Sequence, residues 1–185
     1  NAFLLDAFAT YSRYNWFKVS MGAFKNPMSL ELATACHSLN TIYRSNVVRE
    51  LAGPLRDMGV MVLGGSNDTF LQYRVALVNA SGILTLDEDN FKDVVGRVVL
   101  SPSKFMNSPY LNFLRVGVSG RYGKRAAPVE GADIGIHRRL GADLDINIAN
   151  FQVQGEYIYG QNEGSYTVGG GCSGGCGRGG CGGCG

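Results

Sequence analysis

Segments of about ten residues with alternating polarity recur along this chain, joined by connectors that are short, then long, then short again. Strands are predicted at 2–10, 16–25, 56–65, 70–79, 92–100, 111–122, 139–148 and 151–160. The connectors 11–15, 66–69, 101–110 and 149–150 are short, and 26–55, 80–91, 123–138 and 161–185 are longer. Antiparallel neighbours place every second connector on the same rim. One rim therefore carries tight turns and the other carries loops. Barrels that cross a membrane with strands are built this way, because a strand of about 9–11 residues spans the hydrocarbon layer.

The alternation is clearest at 139–148. Arg139, Gly141, Asp143, Asp145 and Asn147 share one face; Leu140, Ala142, Leu144, Ile146 and Ile148 share the other. A period of two is the strand signature. After the turn Ala149-Asn150, Gln152, Gln154 and Glu156 alternate with Val153, Gly155, Tyr157 and Tyr159. Arg115, Gly117, Ser119 and Arg121 oppose Leu114, Val116, Val118 and Tyr122. Gln72 and Arg74 oppose Leu71, Tyr73, Val75 and Leu77, and Lys18, Ser20 and Gly22 oppose Phe17, Val19, Met21 and Ala23. The pattern weakens at 92–100, where Asp93 and Arg97 share a face with Val95 and Val99. It is weakest at 56–65, where Val60 and Val62 stand against Gly59, Met61 and Leu63.

A soluble β-sandwich would alternate in the same way, with its apolar faces as the core. Three features favour the barrel. The strands exceed the usual five or six residues of soluble sheets. The connector lengths keep to two sides. Aromatic residues stand near strand ends (Trp16, Tyr73, Tyr110, Tyr122, Tyr157, Tyr159), as an interfacial girdle requires. The fold class expected is all-β: an antiparallel transmembrane β-barrel with about eight strands in 1–160, followed by a Gly/Cys-rich low-complexity segment at 161–185.

No apolar run is long enough for a membrane helix, and a net charge of +2 without a basic run gives no case for nucleic acid. Neither an initiator Met nor a signal peptide is visible in the sequence. The first residues already read as strand and the last as repeat. The expectation is a fragment, or a mature chain cut at both ends, with a piece of a larger barrel favoured.

The run Phe17-Lys18-Val19-Ser20-Met21-Gly22-Ala23-Phe24-Lys25-Asn26-Pro27-Met28-Ser29-Leu30-Glu31 resembles the phosphate-selective porin O and P family. The resemblance continues at Tyr43-Arg44-Ser45, at Pro54-Leu55-Arg56-Asp57-Met58-Gly59-Val60, at Tyr73-Arg74-Val75-Ala76-Leu77-Val78-Asn79 and at Lys92-Asp93-Val94-Val95-Gly96-Arg97. It covers residues 2–123, and 139–160 as barrel pattern only. It implies a sixteen-stranded barrel of the bacterial outer membrane, trimeric when full length, that passes small anions by diffusion. This chain would supply half of the strands.

A diffusion pore needs a polar wall and charges that sort solutes. The pore-lining candidates are Lys18, Arg74, Arg97, Arg115, Arg121, Arg139, Asp143, Asp145 and Glu156, with Asp6 and Asp93 on the same predicted face. Arginine suits oxyanions because its planar fork can bind two oxygens together. The bland alternative is a solvated wall whose charges pair across strands. The connector 26–55 is far too long for a turn, and such loops are usually functional. It is the candidate constriction loop; a helix is predicted over Ser38 to Leu51 with Leu39, Ile42 and Val47 as its apolar face. Arg44, Arg49 and Arg56 would be its cations.

The tail 169–185 holds eleven Gly and four Cys. Cys172, Cys176, Cys181 and Cys184 could bind metal or form disulfides, but only one close Cys pair is present and a low-complexity segment suffices. Gly177 to Gly182 matches a dinucleotide fingerprint, and Ser101-Pro102-Ser103-Lys104 a β-lactamase motif, both outside the structural context those motifs need. No nucleophile, base and oxyanion site cohere. The reading is a non-enzymatic outer-membrane porin without cofactor, in contact with membrane lipid and small hydrophilic solutes or anions. The alternatives are a barrel sheathing a periplasmic or surface redox protein, and a soluble β-sandwich binding module.

Overall fold

The computed structural model describes residues 6–34, 44–66, 69–80, 82, 91–104, 111–125 and 135–163. Its eight strands are β1 (Ala7–Tyr14), β2 (Phe17–Lys25), β3 (Arg56–Gly64), β4 (Leu71–Val78), β5 (Asp93–Leu100), β6 (Leu111–Arg125), β7 (Gly135–Ile148) and β8 (Phe151–Glu163). They form one sheet in the order β1-β2-β3-β4-β5-β6-β7-β8, with every neighbouring pair antiparallel. The sheet is open, with β1 and β8 at its edges. The described strands thus form a single meander and not the two packed sheets of a sandwich.

The registers keep each polar face continuous. Arg74 stands opposite Arg97, Arg97 opposite Ser119, Ser119 opposite Gly141 and Gly141 opposite Ile158. On the reverse face Met21, Val60, Leu77, Val94 and Tyr122 form one such row, and Tyr73, Val98, Val118, Ala142 and Tyr157 another. A one-residue slip anywhere would move a charged set onto the apolar side, which is why alternation fixes register so firmly.

Strand positions from the sequence need two corrections. β1 ends four residues later than expected, at Tyr14, so its turn shrinks to Asn15-Trp16. Tyr11 to Tyr14, expected in the connector 11–15, belong to β1, whose residues are exposed throughout. The connector expected at 123–138 is only 126–134, because pairing continues to Arg125 opposite Gly135. The length has gone into β6 and β7, of 15 and 14 residues, while β8, of 13 residues, runs past its expected end to Glu163. The short–long rhythm of connectors therefore fails at this hairpin, although the two rims remain distinct.

The apolar face is bare. Met21 is 59% exposed, Leu77 55%, Val118 59%, Leu140 62% and Tyr157 68%. The polar face is the one that is covered. Connector 26–55 leaves β2, crosses that face and returns to β3, closed at its base by Asn26 N–H donating to the Leu55 carbonyl (3.0 Å). Its described residues hold two short helices, α1 (Leu30–Ala33) and α2 (Asn46–Leu51), whose first turns are capped by the Ser29 and Ser45 hydroxyls. Met28, Leu32, Val48 and Ala52 of this strap are buried against Phe24, Ala76, Val78 and Val95 of the sheet. Burying one such aliphatic side chain contributes about 1.5–3 kcal/mol, which is enough to hold a short strap in place.

This docking explains the strands with poor alternation. Val95 faces inward on β5 and Met61 inward on β3, where the strap needs an apolar seat. Of the helix expected over Ser38 to Leu51, the described residues hold Asn46–Leu51, capped at Ser45; Leu39 and Ile42 lie outside the described residues. The packing residue of α2 is Val48, while Val47 is exposed. Arg56 is not part of the strap; it opens β3 and pairs with Asp6 (2.7 Å). That hydrogen bond holds the Asp6 carboxyl below the usual carboxylate range.

Candidate functional site

All nine pore-lining candidates fall on the covered, polar face. Lys18 is half-buried on β2, Arg74 half-buried on β4, and Arg97 buried on β5. Arg115 and Arg121 come from β6, Arg139, Asp143 and Asp145 from β7, and Glu156 from β8.

Most of these charges are paired. Arg97 Nη2 donates to Asp143 Oδ1 (2.7 Å), and Arg115 Nη2 to Asp145 Oδ2 (2.8 Å). Asp145 Oδ1 also accepts from Gln152 (3.1 Å). Asp93, fully buried, accepts from Arg121 Nε (2.5 Å) and lies 2.8 Å from His137 Nε2. Arg139 donates to the backbone carbonyl of Gln161 (2.9 Å) and to Asn162 Oδ1 (2.7 Å), tying β7 to β8. Of the six cations on this face, Arg97, Arg115 and Arg121 are thus paired with Asp143, Asp145 and Asp93, and Arg74 takes part in none of these pairs.

Glycine makes these pairs possible. Arg97 lies on β5 and Asp143 on β7, so their side chains must cross β6. They cross at Gly117 and Ser119; a methyl group on Gly117 would collide with both Asp143 carboxylate oxygens. Asp93 and His137 meet in the same way over Gly123. The alternation of Gly, Ser and Arg along β6 is the sequence signal for this arrangement. Gly117→Ala is expected to destabilise the fold by about 1–3 kcal/mol, the usual cost of inserting a methyl into a packed site. A lowered midpoint in urea unfolding would show it, and an unchanged midpoint would contradict the crossing.

The strap is tied to the same charges. Arg121 Nη1 donates to the Ala52 carbonyl (3.2 Å). Glu156 accepts from the backbone N–H groups of Leu30 (3.1 Å) and Glu31 (3.3 Å), holding the start of α1 to β8. Within the strap, Arg44 donates to the carbonyls of Glu31 and Thr34, and the Glu31 carboxylate accepts from Ser45 N–H (2.7 Å). Arg44 is therefore a brace between the two halves of the strap. Arg49 is exposed on α2.

Two buried titratable residues, Asp57 and His137, lie outside the sequence-based candidate set. Asp57 sits at the strap's exit into β3, and its Oδ1 accepts from Met58 N–H (2.9 Å). His137 precedes the predicted start of β7. Neither follows from a motif; both follow from where the strand boundaries fall.

A cavity of about 480 Å³ lies between the strap and the sheet. Arg74, Arg97, Arg115, Asp143 and Asp145 line it, with Thr34 from the strap and Gln72, Gln152 and Gln154 from the strands. Among the described residues no group of three or more His, Cys, Asp or Glu could hold a metal ion. Cys172, Cys176, Cys181 and Cys184 lie outside the described residues. No helix of the described residues is long and apolar enough to cross a membrane.

The aromatic residues at the turn rim form a connected group. Tyr14 and Trp16 stack at 5.8 Å, Trp16 lies 5.9 Å from Phe17, and the Tyr73 hydroxyl donates to the Trp16 carbonyl (2.6 Å). No protein-family model, no curated protein and no solved structure matches this chain.

Proposed function

We propose that this chain supplies wall strands and a constriction strap of an outer-membrane barrel that passes small hydrophilic solutes by diffusion, with a mild preference for anions. One observation carries the reading: the apolar face of the sheet is bare while the polar face holds the charges, the strap and the cavity. A water-soluble sheet buries its apolar face, and a barrel in lipid presents it. The aromatic group at the turn rim fits a membrane interface. The resemblance to the phosphate-selective porin O and P family supports the same reading, and with it the closure of the sheet by further strands and a trimeric assembly.

Anion preference rests on the charge balance of the cavity. Three guanidinium groups (Arg74, Arg97, Arg115) face two carboxylates (Asp143, Asp145), leaving one positive charge. The two paired arginines contribute little field, so Arg74 dominates.

The test is reconstitution of the full-length protein in planar bilayers. Conductance is expected, with a reversal potential in a salt gradient displaced toward that of the anion. Arg74→Glu reverses the local balance and is expected to turn the pore cation-preferring. Absence of conductance would overturn the pore, and unchanged selectivity in the variant would overturn the role of Arg74.

A further inference from the structure

Arg74 and Arg97 are direct cross-strand partners on one face of the sheet. Like charges in that position repel. Arg97 is relieved on one side only: its Nη2 binds Asp143, and its Nη1 is buried with no hydrogen-bond partner among the described residues. Asp143 Oδ2 and Arg115 Nε are buried in the same condition. The side chains of Arg97 and Asp143 are only 5% and 3% exposed. An unsatisfied buried polar atom is costly, so such a group of them beside a cavity is a demand for a ligand of matching pattern.

That pattern has three parts. Arg74 and Arg97 supply cationic donors for an oxyanion. Asp143 Oδ2 is an acceptor and rejects an oxyanion unless the ligand also brings a donor. The net charge of the cavity is a single positive unit, which balances a monoanion and leaves a dianion over-charged. The cavity volume of about 480 Å³ is far larger than acetate needs, and Gln72, Gln152 and Gln154 offer further amide partners around it.

We propose that the cavity is a binding subsite for hydroxylated monocarboxylates of sugar-acid size, with the carboxylate between Arg74 and Arg97 and a hydroxyl donating to Asp143. This deepens the pore reading and rests on it for how a solute reaches the cavity. Asp143 is then the specificity-determining residue and Arg74 the main anchor.

The experiment is calorimetric titration of the full-length protein in detergent at low salt, with gluconate, acetate and phosphate as probes. Gluconate is expected to bind at least about tenfold more tightly than acetate, since a site with a buried acceptor rejects the analogue lacking the donor. It is likewise expected to bind more tightly than phosphate. Arg74→Gln is expected to lose most gluconate affinity, and Asp143→Asn to bring gluconate and acetate closer together. The comparison of probes on the unaltered protein stands even where a variant fails to fold. Equal affinities for gluconate and acetate, phosphate as the tightest ligand, or full gluconate affinity in Arg74→Gln would each overturn the proposal. Conductance in bilayers is measured separately, so a binding protein without a pore and a pore without this subsite give different results.

Discussion

Asp93→Ala is expected to lower the stability of the fold by about 3–5 kcal/mol, the cost of breaking a buried ion pair from one side. Asp93 is fully buried and receives both Arg121 and His137. Its loss leaves Arg121, itself buried, without its carboxylate. The consequence extends to the strap, because Arg121 also holds the Ala52 carbonyl. Urea unfolding in detergent, followed by the fluorescence of the single tryptophan Trp16, measures the first effect. Limited proteolysis measures the second: cleavage within 26–55 is expected to accelerate in the variant. Replacing Asp93 and Arg121 together by apolar residues of similar volume is expected to cost much less, because no unpaired charge is left behind. An Asp93→Ala protein as stable as the parent would contradict the buried pairing.

Leu140→Arg is expected to cost about 2–4 kcal/mol in lipid, the range for a cation facing hydrocarbon at mid-depth in a barrel. Leu140 is exposed and stands opposite Tyr159 in the register of β7 and β8. In water the same substitution on an exposed position would fall within about 0.5 kcal/mol. The contrast is therefore with the environment and not with packing. Gln154→Arg, on the polar face of the neighbouring strand, is the control and is expected to change stability little. Refolding into lipid vesicles at graded urea concentrations gives both values. Equal small effects at both positions would mean that water covers the apolar face.

Strand identity and facing were legible in the sequence wherever one face was uniformly charged or small, as along Arg139 to Ile148. There the period of two has no competitor. It blurred at β3 and β5 because Met61 and Val95 serve the strap and not the wall. A residue that packs against a distant segment breaks local alternation, and nothing nearby in sequence announces it. The ends of β1, β6, β7 and β8 were misplaced for a related reason. Pairing between neighbours carries a strand past the point where its own pattern fades.

The candidate site was legible as a set of residues but not as a set of partners. Arg97 and Asp143 are far apart in sequence, and their meeting depends on the small residues of the intervening strand. Arg44 was expected to contribute charge to the constriction, yet it bonds carbonyls within the strap. Its role is set by how the strap folds back on itself. Arg56 was expected in the strap and belongs to β3, since pairing of Lys25 with Arg56 closes the strap before it.

The central claim is that the apolar face meets lipid and the polar face meets water. Nitroxide labels placed singly along β8, with the five native cysteines replaced, test it directly in vesicles. Val153 and Tyr157 point to one face, Gln152 and Gln154 to the other. Labels at the first pair are expected to be quenched by oxygen, which concentrates in hydrocarbon, and labels at the second pair by a water-soluble nickel chelate. The two quenching profiles should then alternate with a period of two. Apolar positions shielded from both agents, or reached by the nickel chelate as readily as the glutamines, would contradict the account.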